Sequence, residues 1–109
     1  MLGEPEGRMQ RTRYIHLIDR GTTIGYQIDD AEQCVRYAVS HKNPRDAYNR
    51  VIGRRIVDGR LAKAGVSKVT GLPNHESISF DALGNDVSYT HVVGVLVEKC
   101  GKNRNADIP

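Results

Sequence analysis

Seven cations fall between Lys42 and Lys63: Lys42, Arg45, Arg50, Arg54, Arg55, Arg60 and Lys63. Only Asp46 and Asp58 oppose them, a net +5 on one stretch of a chain whose whole net charge is +3. Arginine dominates that set. A guanidinium makes planar, paired contacts to phosphate and stacks on bases, which an ammonium cannot do. The turn Lys42-Asn43-Pro44-Arg45-Asp46 precedes a helical pattern. Asn43 can cap a helix and Pro44 suits a first helical position. Backbone N–H groups at such an end form a general anion site. The chemistry these residue types could do is therefore the binding of phosphate. The candidate ligand-binding residues are Arg36, His41, Asn43, Arg45, Tyr48, Arg50, Arg54 and Arg60. A solvated helix face, with Arg60 and Lys63 offsetting the helix dipole, would account for individual cations. It accounts less well for five arginines together.

The elements that must position these residues read as follows. Arg13–Asp19 and Thr22–Ile28 have strand composition and flank an Arg20-Gly21 turn, which predicts a hairpin. Gln33–His41 predicts a third strand, with Val35, Tyr37 and Val39 toward the core and Cys34, Arg36, Ala38 and Ser40 on the other face. A helix is expected from Asn43-Pro44 to Ala64, stopped by Gly65. Tyr48, Val51, Ile52, Ile56, Gly59 and Ala62 form its expected core stripe, and Val57 and Leu61 a smaller second patch. Gly53 and Gly59 each cost such a helix about 1 kcal/mol relative to Ala, so both suggest a close approach. Val66–Thr70 and Ser77–Phe80 are short strand candidates. Val87–Cys100, rich in β-branched residues, reads as a final strand buried on both sides. The fold class is α+β: an antiparallel or mixed sheet of about four to six strands packed with one principal helix.

At 109 residues the chain suits one domain. Residues 1–11 read as a flexible arm, 12–100 as the domain and 101–109 as a polar tail. Aromatics are few, with five Tyr, one Phe and no Trp, so the core rests on aliphatic residues. That composition suits a homo-oligomer whose subunits complete each other's cores. The pI near 9.0 favours an acidic partner. The longest apolar run, Val92–Val97, is too short to span a bilayer, and no signal peptide is visible, so a cytoplasmic protein without a membrane partner is expected. Cys34 and Cys100 are expected as free thiols and lack the spacing of a metal site. No cofactor is implied.

Catalysis finds little support. There is no Walker motif, GxGxxG, HExxH or GxSxG. His16, His41, His75 and His91 are scattered singly, so a His-dependent phosphodiesterase using His41 or His91 stays a minor alternative. Asp29-Asp30-x-Glu32 reads as a surface turn. The five tyrosines could stack on bases, although sheet and core positions suit them as well.

The segment Val35–Gly65 resembles a pattern of small phage-encoded proteins: a strand, then Pro44-Arg45-Asp46, Tyr48, Gly53-Arg54 and Gly59-Arg60-Leu61. It is most similar to the phage anti-Thoeris sponge family. Ser40-His41-Lys42 stands where a Cys near the turn is the family's pattern. The resemblance implies a non-enzymatic, oligomeric anti-defence protein of an infected bacterial host, which sequesters a cyclic ADP-ribose-type signal or a cyclic oligonucleotide. The alternative is a nucleic-acid-binding or CRISPR-inhibiting protein using the same Arg-rich helix.

Overall fold

The computed structural model describes residues 11–42, 45, 47–63, 65, 66, 68, 71 and 73–100. Asn43, Pro44, Asp46, Ala64, Thr70 and both chain ends lie outside the described residues. Four antiparallel strands form one sheet in sequence order: β1 (Arg13–Leu17), β2 (Thr22–Asp29), β3 (Cys34–His41) and β4 (Glu76–Ser79). Two helices accompany it, α1 (Arg50–Ala62) and α2 (Tyr89–Cys100). The fold is α+β with one main helix, and the sheet is antiparallel throughout.

The expected hairpin forms. Gly21, at φ 63°, closes the β1–β2 connection after a 3-10 turn at Ile18–Arg20 and donates its N–H to Ile18. The register sets His16 beside Thr23, Thr23 beside Ser40, and Gly25 between Tyr14 and Ala38. These residues share one face of the sheet, by the two-residue alternation of strands. Ile24, Tyr26, Val35 and Tyr37 share the other and form the larger core with Phe80, Leu83, Val92 and Leu96.

That larger core explains the main departure from expectation. Val87–Cys100 is not a strand; α2 occupies most of it. Tyr89, Val92, Val93, Leu96 and Cys100 recur at helical spacing, and Val92 and Leu96 are fully buried. Strand propensity of the valines is weak against a twelve-residue run that lays one stripe on an apolar sheet face. Val66–Thr70 likewise supplies no strand among its described residues, only an isolated bridge from Val66 to Pro73.

The other face is covered by α1, against β2 and β3. Its start is Asn49, whose side chain accepts the Ile52 N–H, rather than the Asn43-Pro44 of the sequence reading. Its buried residues are Gly53, Val57 and Leu61, which pack with Ala38 and Tyr14. The expected core stripe points outward instead: Val51, Ile52 and Ile56 are 59%, 54% and 39% exposed. The reason lies in the sheet. Thr23, Gly25, Ala38 and Ser40 present a face of small residues, which a helix can approach closely only through its own small face. A Cβ on Gly25 would stand 2.7 Å from a methyl of Val57, and one on Gly53 would collide with the Thr23 hydroxyl. Gly53 thus marks a real close approach. Gly59 marks none within this chain, since no atom of it lies within 4 Å of where the Gly59 Cβ would be. Both faces of β3 are therefore covered: Ala38 and Ser40, expected on the open side, are buried beneath α1.

Candidate functional site

A polar cluster forms where the start of α1 crosses β1 and β2. β1 contributes Tyr14 and His16, two residues apart and on one face. The segment before α1 contributes Tyr48, and α1 contributes Arg50, Arg54 and Asp58.

Arg54 is the centre of this arrangement. Its Nε donates to His16 Nε2 at 3.3 Å, and its guanidinium carbon sits 5.2 Å from the centre of the Tyr14 ring. The first contact makes His16 Nε2 an acceptor, so the ring proton belongs on Nδ1. Nδ1–H then donates to the Tyr48 hydroxyl at 2.7 Å, which leaves Tyr48's own proton for Thr23 Oγ1 at 2.8 Å. Burial holds the His16 pKa below its usual value, and the charges of Arg54 and Arg50 push the same way. A protonated His16 would also aim an N–H at the Arg54 N–H. The imidazole is therefore held neutral as an orienting acceptor. Tyr14 and His16 stack at 6.3 Å with rings 21° apart, and His16 meets Tyr48 edge-on.

Asp58 lies four residues after Arg54 on α1, a spacing at which the two could pair, but it turns to another partner. Asp58 accepts the Tyr14 hydroxyl at 2.7 Å. Burial, then this bond, pushes the Tyr14 phenol up to about 12. A carboxylate turned to Tyr14 leaves Arg54 supported by neutral partners, with its charge unspent.

The candidate residues divide accordingly. Tyr48, Arg50 and Arg54 come together. Arg45 is exposed in the segment before the helix. His41 follows Ser40 onto the opposite face of the sheet, where its Nδ1 meets Thr22 Oγ1 at 2.9 Å. Arg36 is held by Asp29 at 2.7 Å and by Gln27 at 3.2 Å, at the far end of β3 from His41. Asp29 also accepts the Glu32 N–H, which is the first cause of its lowered pKa, with Arg36 contributing. Arg60 donates to the Val39 carbonyl, on a stretch of β3 beyond the end of β4. Arg36 is thus paired with a carboxylate, and Arg60 ties α1 to β3 through a neutral carbonyl. Asn43 lies outside the described residues.

Tyr14, His16 and Thr23 were not singled out by sequence reasoning as part of the site. The signal was present in the alternation of β1, which sets Tyr14 and His16 on one face. What sequence could not give was the helix face that meets them.

The other histidines are also engaged: His75 Nδ1 with the Arg60 carbonyl and His91 Nε2 with the Leu83 carbonyl, each at 3.0 Å. Cys34 and Cys100 are free thiols, and burial pushes Cys100 up to about 11. Among the described residues no group of His, Cys, Asp and Glu could hold a metal ion. Nor is any described helix long and apolar enough to cross a membrane.

Compared with known proteins, the chain matches no family model, no curated protein and no solved structure.

Proposed function

We propose that this protein binds a phosphate-bearing nucleotide signal at the Tyr14–His16–Tyr48–Arg54 face and sequesters it without cleaving it. The observation that carries this reading is the state of Arg54. Its guanidinium is positioned by His16 and by the Tyr14 ring, and no carboxylate among the described residues takes its charge. A cation held in place by neutral groups loses little freedom when an anion arrives. Arg50, one turn earlier, adds to the positive field, and Tyr14 or Tyr48 offers a ring edge or face to a base. The resemblance to phage sponge proteins points to a cyclic ADP-ribose-type or cyclic oligonucleotide ligand, in the cytoplasm of an infected bacterium. A sequestering role is favoured over hydrolysis because both His16 nitrogens are occupied in orienting Arg54 and Tyr48.

The test is capture and release. The protein is incubated with cyclic ADP-ribose isomers and cyclic oligonucleotides, re-isolated, heated, and the released material identified by mass. One intact ligand is expected from wild type. Arg54→Ala should lose about 1.5–3 kcal/mol of affinity, the value of a hydrogen bond to a charged group. Arg54→Lys should recover little, since an ammonium lacks the Nε–H that His16 accepts. Arg36→Ala should bind like wild type once folded. An untouched panel with tight, steeply salt-dependent binding of RNA or DNA would replace this reading with the nucleic-acid one.

A further inference from the structure

The outward face of α1 is the largest feature that the site does not absorb. Val51, Ile52 and Ile56 are exposed there, with Gly59 and Ala62 on the same side. At 100° per residue they form one stripe, opposite Gly53, Val57 and Leu61, which face the sheet. A solvent-facing stripe richer in large aliphatics than the buried one calls for a partner.

The charges along the stripe say which partner. Arg55 lies on it, and Asp58 borders it on the flank nearer Val51. The two residues are three positions apart, about 4.5 Å along the axis. We infer that α1 pairs with α1 of a second copy of this chain, antiparallel, about a twofold axis crossing the helix between Ile56 and Val57. A twofold axis so placed brings like flanks together and sets residues level in pairs. Arg55 of each copy then stands level with Asp58 of the other, and Val51 with Ala62. Ile56 of both copies meets near the axis. Gly59, with open space where a Cβ would be, admits the second helix closely. Asp58 can serve both neighbours, because Tyr14 bonds its Oδ1 and leaves the other oxygen for the second copy's Arg55. No parallel pairing does this, since it would bring the Asp58 flank against the Ile56 flank.

One helix against one helix buries less than about 1,200 Å², the low end of specific interfaces, so the dimer is a weak and exchanging one. Sedimentation velocity of the full chain across the micromolar range tests it, with thermal melts to confirm folding. Wild type should show a concentration-dependent dimer. Ile56→Lys, at an exposed position, should weaken it by roughly a hundredfold or more, since two isoleucines leave the interface. Arg55→Glu should weaken it roughly tenfold, and adding Asp58→Arg should restore it. A wild type that stays monomeric, or a dimer indifferent to Ile56→Lys, overturns the surface. Loss with Ile56→Lys but no restoration by the paired charge reversal overturns the antiparallel register.

Discussion

The same substitution at two glycines of α1 should have opposite signs. Gly59→Ala adds a Cβ into open space. It should stabilise by about 1 kcal/mol from helix propensity alone, or about 4 °C in Tm for a domain of this size. Gly53→Ala gains the same propensity, but its Cβ collides with the Thr23 hydroxyl and stands 3.0 Å from Thr23 Cβ. Overpacking of that kind costs about 1–3 kcal/mol. Displacing Thr23 also loosens its bond to Tyr48, worth a further ~1 kcal/mol. The net expectation is a destabilisation of about 1–3 kcal/mol. Urea denaturation in the Ile56→Lys background, where self-association does not enter, measures both. Thr23→Ala should then partly rescue Gly53→Ala, with a coupling of about 1 kcal/mol or more. Equal effects at the two glycines, or strict additivity of Gly53→Ala with Thr23→Ala, would refute the claim that this contact sets the helix on the sheet.

The buried Tyr26 hydroxyl has no hydrogen-bond partner among the described residues. Tyr26→Phe should therefore raise stability by about 1 kcal/mol, read from the same denaturation curves, and a clear loss would reveal a partner. Asn49→Ala should cost about 1 kcal/mol in those curves, because the side chain caps Ile52 N–H. His16 has its folded pKa below its unfolded value near 6.5, so the unfolded chain takes up the proton first as pH falls. Stability should be full above about 6.5 and decline as pH drops toward the folded value. A denaturation series across that window should be flatter in His16→Gln. The contributions of Asp29 and Asp86, whose pKa values are lowered, are lost only in the separate window below 3.8.

Local signals located the hairpin, β3 and the short β4, because turn residues and alternation act within a few residues. The helix faces were not legible in the same way. Val51, Ile52 and Ile56 outweigh Val57 and Leu61 in apolar volume, and a single-helix reading assigns the heavier stripe to the core. The sheet reverses that choice with Thr23, Gly25 and Ala38, contributed by two other elements. The sequence of α2 is ambiguous for a related reason. Its valines carry a strand preference, while its Tyr89–Val92–Leu96–Cys100 spacing carries a helix. Only the apolar face of Ile24, Tyr26, Val35 and Tyr37 decides between them.

Charge counting carried the site part of the way, and its shortfall has a physical cause. By number alone Arg36, Arg54 and Arg60 are equivalent cations. Their surroundings separate them: Arg36 meets a carboxylate, Arg60 meets a carbonyl at the unpaired stretch of β3, and Arg54 meets a neutral imidazole and a ring. Arg36 is neutralised and Arg60 keeps its charge while tied to the sheet backbone, whereas the Arg54 arrangement holds a full charge beside the rings of Tyr14 and His16. It depends on Gly53, since α1 must lie close to Thr23 for Arg54 to reach His16 while Tyr48 reaches both His16 and Thr23. The residue that brings the helix down onto the sheet therefore also sets the geometry of the cation. A Gly53 substitution should reduce ligand affinity even where the domain remains folded, and Gly59→Ala should not.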